Sequence, residues 1–215
     1  MGKGFITLLK NMINGILDLI FPPEKICIYC LEDGYAGLCP MCLKKIKRVR
    51  SEGCIFSYGY YVGPLKELIL SFKYKENYLA GHIMSDFLCE LIEKNNIDFN
   101  MISYVPLSKK SMKKRGFNQC EILAKKISEK YNVSISKSLV KVRETKEQKL
   151  LSREDRKENI IDAFDITNGE DIVGKNIILI DDVITTGVTV LECEKILKKY
   201  GVKKVVIVTV AQSFM

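Results

Sequence analysis

The stretch Ile177-Ile178-Leu179-Ile180-Asp181-Asp182-Val183-Ile184-Thr185-Thr186-Gly187-Val188-Thr189 decides how the rest of the chain is read. Four consecutive apolar residues predict a buried strand over 176–181, ending in the carboxylates of Asp181 and Asp182. A short loop then leads into a helix over 189–200, stopped by Gly201. Thr185, Thr186 and Thr189 therefore stand at a helix N-terminus, where unpaired N–H groups and the helix dipole attract an anion. Gly187 permits close approach of backbone, and the threonine hydroxyls add donors, so the run Val183–Thr189 reads as a phosphate-binding segment. Beside a bound sugar phosphate, ionised Asp181 and Asp182 can accept hydrogen bonds from neighbouring hydroxyls. The plain alternative is a strand end with solvated acids and a Thr189–Glu192 capping box. A nucleotide-binding P-loop is excluded, because no G-x-x-x-x-G-K-[ST] occurs.

The surroundings extend the same pattern. Residues 101–105 and 204–210 predict further strands, and 139–142 a weaker one. An almost wholly apolar strand among strand–helix–strand repeats implies an α/β fold, with a parallel sheet covered on both faces. Residues 106–117 read as a basic loop, and 118–131 as a helix whose Asn118 and Glu121 form a capping box. Residues 56–62 are aromatic and β-like. Two helices follow over 64–72 and 78–93, the second turning Leu79, Ile83, Phe87, Leu88, Leu91 and Ile92 inward. Residues 143–159 are highly charged with little apolar periodicity, as in a mobile loop or short surface helix. Apolar positions 5, 8, 9, 12, 13, 16, 17 and 20 predict an amphipathic N-terminal helix, either packed on the body or lying on a surface or partner.

Cys27-x2-Cys30 and Cys39-x2-Cys42 lie close enough in sequence to give four thiolates to one tetrahedral ion. Zinc is the first expectation; iron and a redox dithiol are the alternatives. Cys54, Cys89, Cys120 and Cys193 lack paired spacing and read as core or helix residues.

The chain has 215 residues, a net charge of +8 and 47% hydrophobic residues. This is an ordinary globular composition with a basic bias toward anionic partners. No secretory leader is legible: Lys10, Asn11, Asn14 and Asp18 interrupt the first apolar segment. No apolar run is long enough to span a bilayer. The expectation is a cytoplasmic protein that is not integral to a membrane, with association at the inner face left open by the N-terminal helix. Two runs, Lys44–Arg50 and Lys109–Arg115, each hold five basic residues and no acid. With Phe56, Tyr58, Tyr60 and Tyr61 nearby, they suggest a surface for single-stranded DNA, or else two unrelated solvated faces.

The 177–189 segment resembles the phosphoribosyl-diphosphate signature of type I phosphoribosyltransferases. Over roughly residues 21–211 the chain resembles the ComF family, competence-associated proteins that join a small zinc module to such a domain. The further matching residues are Val105-Pro106-Leu107, Arg115-Gly116-Phe117-Asn118-Gln119, Arg143 with Thr145 and Gln148, Arg156 with Asn159, and Ala163-Phe164. Ile184 and Val188 depart from the usual residues, and Val210-Ala211-Gln212 is less basic than is usual.

The resemblance implies a type I phosphoribosyltransferase-like parallel sheet flanked by helices, with a small N-terminal four-cysteine zinc module. The expected division is an N-terminal helix over 1–22, a zinc module over 23–55 and the phosphoribosyltransferase-like domain over 56–215. Asp181 and Asp182 should hold the ribose hydroxyls and Val183–Thr189 the 5′-phosphate. Leu107, Ser108, Lys109 and Arg115 should form the diphosphate loop, and residues 143–159 the flap. Magnesium would bridge diphosphate and ribose oxygens. Lys109, Arg115 and Lys73 are candidates to stabilise departing negative charge. No general base is evident, and His82, the only histidine, sits mid-helix and reads as structural. Three functions stay open: phosphoribosyl transfer to an unidentified acceptor, single-strand handling in DNA uptake, and docking onto a DNA-translocation partner.

Overall fold

A computed structural model of the chain describes residues 25–50, 53–143, 160 and 162–214. The expected N-terminal helix and nearly all of the expected flap fall outside the described residues. In chain order the elements are α1 (Pro40–Lys44), β1 (Ile55–Tyr60), α2 (Gly63–Lys75), α3 (Tyr78–Lys94), β2 (Met101–Tyr104), α4 (Lys109–Arg115), α5 (Gln119–Tyr131), β3 (Leu139–Lys141), β4 (Phe164–Ile166), β5 (Asn176–Ile184), α6 (Val188–Lys199) and β6 (Lys204–Gln212), with a 3-10 turn at Gly169–Ile172.

The apolar run becomes β5, an inner strand of a four-stranded sheet in the order β1-β6-β5-β2, all pairs parallel. Its period of two divides the core. Ile178 and Ile180, with Val206 and Val208, join a cluster built with α2, α3 and α5. Ile177 and Leu179, with Val205 and Ile207, join a second cluster containing Ile196 and Leu197 of α6 and Phe164 of β4. Both faces are covered, which is why the strand shows no polar alternation.

Several boundaries differ from the sequence reading. Strand β5 runs on to Ile184, so Asp181 and Asp182 lie inside it. Strand β6 is equally long and keeps pairing, Asp181 opposite Thr209 and Ile184 opposite Gln212. The expected basic loop contains α4, started by Ser108, whose hydroxyl accepts from the Ser111 N–H. Asn118 does cap α5, accepting from Cys120 N–H, but Glu121 pairs with Lys125 and Lys137 rather than closing a capping box. In α3, Leu79 is exposed, while Phe87, Leu88, Leu91 and Ile92 are buried as expected. His82 is exposed on that helix. Cys54 is exposed, whereas Cys89, Cys120 and Cys193 are buried.

The cysteine-bearing segment adds its residues to the first core cluster: Cys27, Leu38, Cys39, Cys42 and Ile46 pack there with α3 and the sheet. Buried Gly37 lies against Ile83 of α3. A Cβ on it would collide with Ile83 Cδ1, and its φ of +94° also suits glycine alone.

Candidate functional site

Parallel strands bring their carboxyl ends to one edge of the sheet, where the loops after β2 and β5 face each other. Between them lies a pocket of about 320 Å³. The β5 side contributes Asp181, Asp182, Val183, Ile184, Thr185, Thr186, Gly187 and Thr189; the β2 side contributes Val105, Pro106, Leu107 and Ser108. Helix α6 begins on this wall. Gly187 is its N-cap at φ +77°, and the Leu191 N–H donates to Gly187 O. Thr189 is thus inside the first turn and not a cap, and Glu192 pairs with Lys195, which disposes of the capping-box alternative.

The acid pair is held from below. Asp182 is buried, and its Oδ2 accepts from Lys73 Nζ at 2.8 Å and from Gln119 Nε2 at 2.9 Å. Asp181 Oδ1 accepts the Asp182 N–H at 2.9 Å and faces the Cys120 thiol at 3.5 Å. Burial, and then the charge of Asp182, raise the Asp181 carboxyl to about 7, against the opposing effects of the Asp182 N–H, Lys73 and Cys120. Burial also works against the Lys73 charge, but Asp182 and then Asp181 outweigh it and raise its pKa.

Arg115-Gly116-Phe117-Asn118-Gln119 proves to build this floor. Gly116, at φ +79°, ends α4. Phe117 packs against Phe72 and Tyr78, with ring centroids 5.4 and 5.7 Å away. Asn118 caps α5 and donates to Val105 O, tying down the start of the β2 loop. Gln119 reaches Asp182, and its own Oε1 is buried without a partner among the described residues. The Arg115 guanidinium lies 5.6 Å from the Tyr74 ring. Neither Arg115 nor exposed Lys109 is among the residues lining the pocket, whereas Leu107, Ser108 and Lys73 are.

Five lining residues were not expected at this site from the sequence: Tyr61, Ser111, Lys141, Phe164 and Val190. Lys141 and Phe164 come together because β3 and β4 pair antiparallel, placing the amine 5.6 Å from the ring centroid. Two three-residue strands more than 20 residues apart are too short for periodicity to reveal.

The four cysteines of the double knuckle also converge. Their sulfur atoms lie within 4.8 Å of one another, Cys30 and Cys39 at 3.6 Å, and all four are free thiols. Tetrahedral zinc with Zn–S bonds of about 2.3 Å would space its sulfurs by about 3.8 Å, so the set fits such an ion. The first knuckle is a turn, with Leu31 N–H on Cys27 O; the second opens α1, with Cys39 as N-cap. Burial opposes the Cys27 thiolate, but backbone N–H groups of Cys30, Cys39 and Tyr29 overcome it and lower its pKa to about 6. Despite the Cys42 N–H beside Cys39, burial and the neighbouring sulfurs hold the Cys39 and Cys42 thiols above their ordinary value, so Cys27 is favoured over these two as thiolate.

The aromatic run near the basic segment is largely committed. Tyr58 is buried and stacked on Phe87, with Arg48 on its ring at 3.5 Å and also bonded to Glu90. Tyr60 stacks on Phe214.

A parallel α/β sheet with an acid pair and a threonine–glycine loop at its carboxyl edge defines a phosphoribosyltransferase-type domain, and residues 112–213 match the phosphoribosyl transferase domain family. The chain is 30% identical over 178 residues to competence protein F of Haemophilus influenzae, covering 80% of this chain and 76% of that protein. It belongs to the competence protein F family. Competence protein ComFC of Streptococcus pneumoniae is 27% identical, with 78% and 77% of the two chains covered. DNA utilization protein YhgH of Escherichia coli is 29% identical, with 66% and 64% covered.

Proposed function

We infer that the pocket binds 5-phosphoribosyl 1-diphosphate, or another phosphorylated sugar, and that the protein serves DNA uptake in natural transformation. The observation that carries this reading is the single cavity holding both the acid pair and the loop of Thr185, Thr186, Gly187 and Thr189. In it the helix N-terminus and hydroxyls take the 5′-phosphate, with Val183, Ile184 and Val188 shaping the loop. Asp181 and Asp182 accept from the ribose hydroxyls. Leu107 and Ser108 stand where the diphosphate would lie, and Lys141 faces the same space. Magnesium, when bound with the ligand, would offset the negative charge of the diphosphate. Tyr61 and Phe164, which both line the pocket, offer apolar surface to a flat acceptor. Transfer would break the anomeric C–O bond, release diphosphate with the bonding electrons and join the sugar to a nucleophilic acceptor. This is the glycosyltransferase reading, and release of diphosphate in the presence of nucleobases or amines tests it.

The names of the relatives, competence and DNA utilization proteins, support the cellular role. A second reading, non-catalytic handling of single-stranded DNA with the pocket sensing a ligand, has its own support in α4. That helix exposes Lys109, Lys113 and Lys114, carries no acid, and shares the pocket mouth through Ser108 and Ser111. The cysteine set, filled by zinc, would order the segment around it and present its exposed Tyr29, Leu31 and Met41 to a DNA-translocation partner. No helix among the described residues is long and apolar enough to cross a membrane. A cytoplasmic site of action, at the inner face of the membrane, follows from the uptake role.

A further inference from the structure

Side chains from three elements meet under the pocket floor, and one of them has no obvious ligand to bind. Lys73 sits near the end of α2, its side chain only 16% exposed, with Nζ against Asp182 Oδ2. The neighbouring Phe72 fixes that last turn: it is 1% exposed, meets Phe117, and fills the space left by Gly81, where a Cβ would fall 2.8 Å from its ring. Gln119, from α5, donates to the same Oδ2, so two donors share one carboxylate oxygen. Oδ1 of Asp182 has no hydrogen-bond partner among the described residues.

We propose that Lys73 is a positioning residue for the acid pair: with Gln119 it pins Oδ2 of Asp182, leaves Oδ1 for a sugar hydroxyl, and keeps both acids available as acceptors. This rests on the sugar-phosphate reading above. A lysine in such a pocket would most simply meet the diphosphate. The geometry argues otherwise, because moving the ammonium away would strand a buried carboxylate without its counter-ion, which is strongly unfavourable. The charge matters for Asp181 as well. The groups facing Asp181 are Asp182 on its own strand, Lys73 of α2, Cys120 of α5 and Cys193 of α6. Burial holds both thiols well above the thiol range, and burial also raises the Tyr61 phenol beside Lys73 and Asp182. All three are neutral near pH 7. Lys73 is therefore the cation that favours the ionised form of Asp181.

Ribose 5-phosphate lacks the diphosphate and separates the two roles. Wild type, Lys73→Met and Lys73→Arg are titrated calorimetrically with ribose 5-phosphate and with 5-phosphoribosyl 1-diphosphate plus magnesium, from pH 6 to 8.5. A positioning role predicts that Lys73→Met weakens both ligands by the same factor, about tenfold or more. The pH midpoint of binding, near 7 in the wild type, should rise by about one unit, and Lys73→Arg should keep it near the wild-type value. A merely structural lysine would not move that midpoint. Should Lys73→Met fail to fold, Lys73→Gln keeps a donor to Oδ2 without the charge and carries the same test. Loss confined to the diphosphate ligand would make Lys73 a diphosphate contact and overturn the proposal, as would unchanged affinity or an unchanged midpoint. Wild-type protein that binds neither ligand would instead remove the sugar-phosphate reading itself, and the role of Lys73 with it.

Discussion

Asp181 illustrates how the site stores an unfavourable charge. Its carboxyl is raised to about 7 by burial and by Asp182, well above the ordinary carboxylate range. The folded state therefore binds the proton more tightly than the unfolded state does. That contribution to stability is present below about pH 4 and is lost as pH rises through about 7. Asp181→Asn should consequently stabilise the protein above pH 7, and the gain should vanish near pH 4; urea unfolding at the two pH values measures it. A carboxylate kept despite this cost fits a binding role. Binding should follow the opposite trend, strengthening as pH rises from 6 to 8, because only the ionised acid is purely an acceptor. Gly187 is demanded by its backbone conformation. A Cβ there would meet nothing nearer than 3.9 Å, so crowding within the protein is not the obstacle to Gly187→Val. The obstacle is φ +77°, which costs a β-branched residue on the order of 1–3 kcal/mol. The variant should lose phosphate-ligand affinity and a few degrees of melting temperature together.

Elements were legible in the sequence to the extent that they were long and one-sided. The buried run of β5, the helices α2, α3, α5 and α6, and the strand β6 all stand where apolar spacing put them, displaced by a few residues. Helix α4 was hidden because it buries no residue, so its sequence carries no apolar stripe. The β3–β4 pair was hidden by its shortness and by the long separation of its strands, and with it went Lys141 and Phe164. Lys73 was legible only as a basic residue; nothing in the sequence places it against Asp182, a contact across more than 100 positions. The knuckles were fully legible, because ligand spacing is local. Zinc binding there should be coupled to folding, as so few apolar side chains otherwise order residues 27–42. Protein purified anaerobically without chelator should carry about one zinc per chain. Cys39→Ser should lower bound metal and melting temperature together, and elemental analysis finding neither zinc nor iron would remove the metal from this element.

The molecule as a whole combines a basic surface with a pocket that holds paired acids. The net charge of +8 is spread unevenly, since α4 at the pocket mouth has five basic residues and no acid. If that helix contacts single-stranded DNA, each phosphate it neutralises adds about −0.7 to the slope of log affinity against log salt. Charge reversal at Lys109, Lys113 and Lys114 should then flatten the slope by roughly two units. An unaltered slope would take α4 out of DNA handling while leaving the pocket untouched. Whether the acid pair holds the sugar is read from calorimetric titration of 5-phosphoribosyl 1-diphosphate into wild type and the Asp181→Asn/Asp182→Asn variant, with and without magnesium. An amide keeps the size of each side chain but loses its charge and one acceptor oxygen. The wild type should bind saturably and with magnesium dependence, and a variant that remains folded should bind with an affinity lower by on the order of 10–100-fold. Equal affinity in the two proteins, or no binding to either, would contradict that role of the acids.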